Sequence, residues 1–388
     1  MGNAGTAAAE GVDAVYHNPA LLSASRELAL ELGLVGASFL LEADGTARPL
    51  VAYPSLSATT IGGVLPLPFG GVLEDRVTIG LGFVTPTDIV VRGRILYPEK
   101  PQYLIADRVQ TVAVQAGIGV DIGHGVRVGG GFMALAALTG SVTVATDASG
   151  RLGTVVEDTL VASFAPVAGA SYEFDDYRIG LAFRGVLEGR FNVVIEAENL
   201  GQLEIPPLNI SGVAQYDPWQ ISAGFAKVKG DFRFGVGLTY KHWPAYPGPV
   251  EATVRCEDQP DPSLPCLAPS PPDVDFQPVA SPRAGVEYRI GLDEESHIAA
   301  RGGYSFEPTP APEQTGRTNY FDNHRSIFSV GYGIVLGGPG VGFDGYFQAQ
   351  VLHDRSHTQT VADGGEIDTT VDTRGAILGG GVSGRVSF

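Results

Sequence analysis

Residues Asp231–Trp243 read DFRFGVGLTYKHW and alternate between large apolar side chains and small or polar ones. Successive side chains of a β-strand point to opposite faces, so the stretch predicts a strand with one apolar and one polar face. The apolar face carries Phe232, Phe234, Val236, Leu238 and Tyr240, and the other face carries Arg233, Gly235, Gly237, Thr239 and Lys241. Pro282–Leu292, PRAGVEYRIGL, shows the same alternation.

This alternation recurs along most of the chain between short polar turns and longer loops, and it predicts about fourteen strands. Many of them exceed the roughly 9–11 residues that a tilted strand needs to cross a bilayer, whereas strands of soluble sandwiches are usually about 5–6 residues long. The pattern therefore predicts an all-β fold, an antiparallel transmembrane β-barrel in which closure satisfies the backbone hydrogen bonds. The predicted strands are 27–42, 53–67, 76–92, 108–122, 126–145, 154–174, 177–198, 217–228, 232–243, 282–292, 297–306, 325–337, 341–354 and 373–388.

Composition and local motifs exclude several function classes. The 388-residue chain has a formal net charge of −18, which disfavours nucleic-acid binding because phosphate contacts need clustered Lys and Arg. His353, Asp354, Ser356 and His357 lie together in HDRSH, but neighbours on a strand point to opposite faces and so do not form a catalytic set. We therefore expect neither an enzyme nor a bound cofactor or metal.

Both cysteines of the chain, Cys256 and Cys266, lie in one Pro-rich segment, CEDQPDPSLPC. Two unrelated thiols are one interpretation. We favour a local disulfide, because the segment belongs to the stretch 244–281, which is expected to be a surface loop. Such a clip would stabilise the fold by roughly 2–3 kcal/mol by restricting the unfolded chain. Two thiolates without a histidine in ligand spacing do not form a zinc site.

The N-terminal stretch MGNAGTAAAEGVDAVYHNPALL is rich in Gly and Ala and contains the triplet Asn18, Pro19 and Ala20. It resembles the N-terminal hatch of the FadL family of long-chain fatty acid and hydrocarbon transporters, in which a Gly/Ala-rich helix precedes Asn-Pro-Ala. The stretches YPSL (53–56), EDRVTIGLGFVTPTD (74–88) and TNYFDNHRSIFSVGYG (318–333) are similar to other segments of that family. In the last stretch Asp322 and Arg325 match the family pattern.

The resemblance implies an N-terminal hatch, residues 1–26, that plugs the lumen of a barrel formed by residues 27–388, with the Pro-rich loop 244–281 on the cell exterior. It also implies passive uptake of a hydrophobic small molecule (a fatty acid, alkane or aromatic) that leaves sideways through the barrel wall. In the family the third strand is kinked beside this exit, and Pro86 lies in the matching strand, where proline breaks a ladder hydrogen bond. Alternatively, Pro86 ends the strand outside the membrane. Asn18 is expected to hydrogen-bond with the wall.

Two other functions stay open at this stage. A barrel of the same family that docks or shuttles secreted proteins would have large ordered loops and a filled lumen, and a general porin would have an open, charged pore. We expect a monomer in the bacterial outer membrane, in contact with lipid and lipopolysaccharide. The last strand ends in Phe388 and resembles the assembly signal of outer-membrane barrels. The chain shows no signal peptide, so an export signal is expected upstream of Met1.

Overall fold

The computed structural model describes residues 1–46, 49–87, 100–103, 112–146, 152–198, 208–248, 251–254, 274–293, 295–315, 318–337, 340–362 and 366–388. Within these residues the helical elements are short: the α-helix α1 (Asp13–His17) and the 3-10 helices Pro19–Ala24, Gly71–Leu73 and Trp243–Ala245. No helix in this part of the chain is long and apolar enough to cross a membrane.

Strands make up most of the described chain. In chain order they are β1 (Ala29–Asp44), β2 (Leu56–Pro66), β3 (Val77–Pro86), β4 (Gln102–Tyr103), β5 (Ala113–Gly123), β6 (Val126–Thr146), β7 (Leu152–Phe174), β8 (Tyr177–Arg184), β9 (Leu187–Glu198), β10 (Leu208–Asp217), β11 (Gln220–Lys229), β12 (Phe232–Lys241), β13 (Glu251–Val254), β14 (Val279–Gly291), β15 (His297–Glu307), β16 (Tyr320–Phe321), β17 (Arg325–Leu336), β18 (Val341–Ala362) and β19 (Glu366–Ser387).

Fourteen of these strands form a closed antiparallel barrel, as the sequence predicts. The barrel closes where β1 pairs with β19, from Ala29 opposite Ser387 to Asp44 opposite Asp372. Tight hairpins join β5 to β6, β7 to β8 and β11 to β12, and they mark what we call the short-turn end. The opposite rim is the long-loop end. The barrel strands are β1, β2, β3, β5, β6, β7, β8, β11, β12, β14, β15, β17, β18 and β19.

The two faces of the strands divide as the alternation requires. On β12, Phe232, Phe234 and Leu238 point outward and are exposed, while Arg233 and Thr239 point inward and are buried. Large apolar side chains are exposed on other strands around the barrel in the same way, among them Leu32, Ile61, Leu81, Phe132, Leu181, Ile221, Val286, Val330, Phe343 and Val382. Exposure of so many apolar side chains on one continuous surface is typical of a barrel that faces lipid.

The predicted strand 177–198 is divided in two, which the sequence pattern does not reveal. The β7–β8 ladder ends with Val167 opposite Arg184, just before Pro166, which has no N–H to donate. Past that point β9 leaves the wall and pairs in parallel with β6 over residues 138–145. Strand β7 pairs with one edge of β6 along its whole length. Strand β9 therefore pairs with the other edge, which β5 occupies nearer the short-turn end.

Three predicted loops are partly strands. Residues 208–217 form β10, although 199–216 is expected to be a loop, and β13 within 244–281 pairs with β10. Strands β18 and β19 extend as a hairpin to Ala362 and Glu366, where the prediction ends at 354 and restarts at 373. In the extension Thr358 stands opposite Thr370 and His357 opposite Val371, and β-branched residues such as Thr and Val favour strand pairing.

Candidate functional site

Residues 1–26, here called the N-terminal segment, lie inside the barrel. Their helical content is smaller than the resemblance implies, because residues 1–12 form turns and α1 has only five residues. Gly2, Asn3 and Gly11 take positive φ angles, which an α-helix does not allow. Whether the boundary at residue 26 separates a functional hatch from the barrel stays a prediction.

A ring of inward-facing glycines makes room for the N-terminal segment. At eleven glycines on ten barrel strands, an added Cβ would lie within 3.5 Å of an atom of that segment. At Gly119 the nearest atoms are the backbone oxygen of Pro19 at 2.6 Å and the backbone nitrogen of Ser23 at 2.8 Å. Only glycine allows two backbones to approach so closely. This glycine ring comprises Gly62, Gly80, Gly117, Gly119, Gly129, Gly169, Gly180, Gly224, Gly235, Gly285 and Gly303.

Asn18 joins the N-terminal segment to the wall, and its side chain is fully buried. Its Nδ2 donates to the carbonyl of Thr6 at 2.9 Å and to the carbonyl of Ala170 on β7 at 3.1 Å. Its Oδ1 accepts from the backbone N–H of Ala20 at 3.1 Å and so caps the 3-10 helix that begins at Pro19. All three residues of the predicted triplet therefore lie at one contact between the N-terminal segment and the wall.

An ion-pair network connects the N-terminal segment to the opposite side of the barrel. Glu10 bonds to Arg233 on β12 and, at 3.1 Å, to Arg289 on β14. Buried Glu287 bonds to Arg289 at 2.8 Å and to Arg301 on β15 at 2.6 Å, and Arg301 also bonds to Asp344 on β18. Burial opposes ionisation of Glu10, but the two arginines outweigh it and hold the pKa of Glu10 below its usual value.

A cavity of about 820 Å³ lies between the N-terminal segment and the wall. Asp13 and His17 line it from the segment. Desolvation, with Glu31 and Asp344 adding like charge, raises the pKa of Asp13 to about 6. Burial and the cations Arg283 and Arg184 lower the pKa of His17 to about 3. The pKa of Asp13 therefore lies above its usual value, and the pKa of His17 lies below its usual value.

Pro86 is the last residue of β3 and is buried, at the long-loop end of the strand. On one side Pro86 stands opposite Ala58, and Thr87 donates to the carbonyl of Ser57 at 3.0 Å. Because successive N–H groups alternate between strand edges, the nitrogen of Pro86, which has no hydrogen, faces the β5 edge. On that edge the ladder is continuous up to Val84 opposite Ala113. Along the described part of β3, no gap interrupts either ladder.

An apolar patch covers the inner wall next to this edge. It comprises Met133, Leu135, Ala165, Val167 and Leu187, with Ala113 packed against it. On β6 this patch follows Gly129 and Gly131 toward the long-loop end, so it lies above the 3-10 helix of the N-terminal segment. Leu187 is the first residue of β9 and is 1% exposed, so the start of β9 packs over the patch.

The facing wall carries a cationic cluster. Lys241 bonds to Glu307, and Arg283 Nη2 lies 3.9 Å from the other oxygen of Glu307. Arg325, the first residue of β17, stands opposite Glu307 in the ladder. Within the described residues, Arg283 Nε, Arg325 Nε and the Oγ of fully buried Ser281 have no hydrogen-bond partner. Three cations thus surround Glu307, and in the described part of the chain Arg283 and Arg325 each have a buried donor without a partner.

The structure places Asp322 and Arg325 at the long-loop end, and it adds a residue that sequence reasoning missed. Asp322 is 2% exposed, and its backbone carbonyl accepts from Arg355 at 3.1 Å. Asn323 is fully buried, and its Nδ2 donates to the carbonyls of His353 at 2.8 Å and Thr373 at 2.9 Å. These carbonyls flank a bulge in the β18–β19 ladder, whose irregular backbone needs such partners. Cys256 and Cys266 lie outside the described residues, so their disulfide stays a prediction.

Comparison with solved structures identifies the architecture. A Pseudomonas aeruginosa FadL homologue superimposes with a TM-score of 0.63 at 12% identity, over 96% of this chain and 93% of that one. The chain has the FadL fold. The CymD monoaromatic hydrocarbon channel follows with a TM-score of 0.56 at 12% identity, over 100% and 97% of the two chains. The Pseudomonas putida toluene transporter TodX gives 0.55 at 14% identity, over 97% and 94%.

Sequence comparisons add nothing to this result. No model of a known protein family matches the chain, and no curated protein matches it. The likeness to FadL is therefore one of fold, and it agrees with the fourteen-stranded barrel. The barrel fold matches that of the bacterial outer-membrane proteins FadL and TodX.

Proposed function

We propose that this protein is an outer-membrane channel for the passive uptake of hydrophobic small molecules, which leave through the wall between β3 and β5. The observation that carries the proposal is the apolar patch inside the barrel. It lies above the N-terminal segment, beside the edge where Pro86 offers no hydrogen. Hydrophobic transport also agrees with the solved channels that share the fold, two of which are named for toluene or monoaromatic hydrocarbons.

The cationic cluster favours a ligand with an anionic head, such as a long-chain fatty acid. Lys241, Arg283 and Arg325 share Glu307 as their carboxylate, and unpaired buried donors are rare unless a ligand or water completes them. A carboxylate placed there would gain charge-assisted hydrogen bonds, while an alkyl chain would reach the apolar patch across the lumen. A neutral aromatic would use the patch alone.

A cysteine pair tests the exit. Val84→Cys with Ala113→Cys would join β3 to β5 at the last facing pair, and Ile79→Cys with Ile118→Cys joins the same strands nearer the short-turn end. We expect the first pair to lower uptake of labelled oleate in cells under oxidising conditions, with recovery after reduction. The second pair serves as the control for cross-linking and should leave uptake unchanged. Equal uptake by both oxidised pairs would place the exit elsewhere.

Arg283→Gln tests the ligand class. Arg283 lies 3.9 Å from Glu307, farther than Lys241, so its loss should disturb the cluster less than the loss of Lys241. We expect oleate uptake to fall about tenfold, as for loss of one charge-assisted hydrogen bond, while toluene uptake is unchanged. Equal loss of both would argue against a head-group site. If the unmutated, folded protein transports neither compound, the proposal of uptake is wrong and the docking function is favoured.

A further inference from the structure

The cavity beside the N-terminal segment extends along much of the barrel height. On β15 its lining runs from His297, the first residue of the strand at the short-turn end, to Ser305, close to the other end. On β1 and β19 it includes Glu31 and Arg385, which are also near the short-turn end. The glycine ring places the N-terminal segment against ten strands from β2 to β15, and the cavity continues beside it as a passage along β1, β17, β18 and β19.

The walls of this passage carry charged groups that can hold water and ions. They carry carboxylates and cations from both the N-terminal segment and the barrel, and Asp13 of the segment faces the cavity. Charged groups facing an apolar ligand would lose hydration without compensation. The apolar patch assigned to hydrophobic uptake lies elsewhere, since none of its residues lines this cavity.

The ion-pair network crosses the same passage. Five of its members line the barrel side, and Glu10 is the member that the N-terminal segment contributes. Without the Glu10 carboxylate, Arg233 would keep Glu287 at 4.0 Å and the carbonyl of Ala8 at 3.4 Å. Arg289 would keep Glu287 at 2.8 Å. Loss of Glu10 therefore removes the ion pairs of the segment with Arg233 and Arg289, while the barrel network persists and Ala8 and Gly2 still hold the segment to the wall.

We propose that the passage conducts small ions and that the bonds of Glu10 to Arg233 and Arg289 are its gate. With both bonds formed, the segment is held across the passage. When they break, Asn18, Ala8 and Gly2 still hold the segment, and the turn that carries Glu10 moves aside, so the charged walls line a continuous aqueous path. This conductance does not use the apolar patch assigned to hydrophobic uptake, which lies outside the cavity.

Single-channel recording of the purified full chain in planar bilayers, with potassium chloride as the probe, tests the proposal. We expect Glu10→Gln to raise the frequency of open events by about tenfold, as for the loss of a charge-assisted hydrogen bond. Glu42→Gln is the matched control, because Glu42 pairs with exposed Arg374 outside the cavity. A variant that lacks residues 2–26 gives the conductance of the open barrel as a reference value. Absence of conductance in that deletion, with a folded barrel by heat-modifiable mobility, would overturn the path.

Two further variants test whether Glu10 is the gate. If Glu10 acts through Arg289, Arg289→Gln should also raise opening, and the double variant should open less often than the sum of the two effects predicts. Asn18→Ala loosens the segment on the far wall and should raise opening less than Glu10→Gln does. Equal opening in Asn18→Ala and Glu10→Gln, or none in Glu10→Gln, would overturn the gate.

Discussion

At the scale of single residues, Asn18 determines how the N-terminal segment is held. A Pro-Ala pair after an asparagine begins a 3-10 helix, because proline fixes φ and the asparagine oxygen caps the free N–H of Ala20. The same side chain still has two donor hydrogens, which Thr6 and Ala170 accept. One amide thus orders the local turn and fixes it to β7.

Asn18→Ala should lower stability by roughly 1–3 kcal/mol, because two buried carbonyls and one N–H lose their partner. Asn18→Asp separates the two functions of the side chain, since it keeps the acceptor for Ala20 and removes the donors to Thr6 and Ala170. Thermal unfolding in detergent and protease cleavage of residues 1–26 measure both variants. If Asn18→Asp is as stable as the unmutated protein, the contact with β7 contributes little.

Asp13 and His17 give the N-terminal segment opposite responses to pH. The pKa of Asp13 is raised from 3.8 to about 6, so its contribution to stability is complete below pH 3.8 and is lost as the pH rises to about 6. The pKa of His17 is lowered from 6.5 to about 3, so its contribution is present above pH 6.5 and is lost as the pH falls toward 3. Because the two effects oppose each other, the stability of a single variant should be compared with that of the unmutated protein at each pH.

Asp13→Asn should stabilise the protein by about 1 kcal/mol at pH 7.5, a value discounted because the carboxylate faces water in the cavity. At pH 4 the difference should be small. The unfolding midpoint in detergent, measured between pH 4 and pH 7.5, checks this, with the exposed turn residue Asp231→Asn as control. A constant difference between Asp13→Asn and the unmutated protein at all pH values would contradict the raised pKa.

At the scale of elements, the eleven glycines of the glycine ring serve the N-terminal segment rather than the strands that carry them. Glycine weakens a strand, because it adds backbone entropy and buries no side chain. The placement of these eleven is explained by the close approach of segment atoms to the wall. Two prolines lie where strand pairing ends: the β7–β8 ladder stops just before Pro166, and Pro86 is the last residue of β3.

Gly119→Ala and Gly82→Ala separate these two effects. Both glycines are on the inner face of neighbouring strands, but a Cβ on Gly119 would be 2.6 Å from backbone of the segment, whereas on Gly82 the nearest atom is 3.8 Å away. We expect Gly119→Ala to displace the segment and expose it to protease. Gly82→Ala should leave it protected and stabilise β3 by roughly 0.5–1 kcal/mol. Equal protection in both variants would show that the ring does not seat the segment.

At the scale of the whole molecule, the barrel turns its apolar surface outward and its polar groups inward. The arrangement is the reverse of a soluble protein, because the surrounding lipid replaces the hydrophobic core. Inside, the N-terminal segment, the ion-pair network and the cationic cluster fill or line the lumen. The predicted monomeric state and contact with lipopolysaccharide stay predictions.

Val330→Arg should destabilise the barrel by roughly 2–4 kcal/mol, because it places a charge in the apolar surface. Leu336→Arg is on the same face of β17, but it is the last residue of the strand and should cost about 0–1 kcal/mol. Urea unfolding in lipid vesicles measures both. If the two arginines destabilise equally, the boundary of the membrane on β17 is wrong.

The alternation of side chains by itself determined the class of fold, because a period of two is a local property of extended backbone. Asp231–Trp243 shows which face meets lipid, and the number of barrel strands follows from counting such stretches. The triplet at Asn18 likewise indicates a capped turn, since the cap bond spans two residues. These features need no contact between distant parts of the chain.

Which distant groups meet inside the barrel depends on how the whole chain folds. Glu10 lies 279 residues from Arg289 in sequence, and Asn323 lies 50 residues from Thr373, so no local pattern pairs them. The break between β8 and β9 depends on Pro166 in the neighbouring strand, and the use of the glycines depends on a segment that enters the lumen from outside the sheet. Such contacts are set by closure of the barrel, which brings strands of any sequence separation to a common interior.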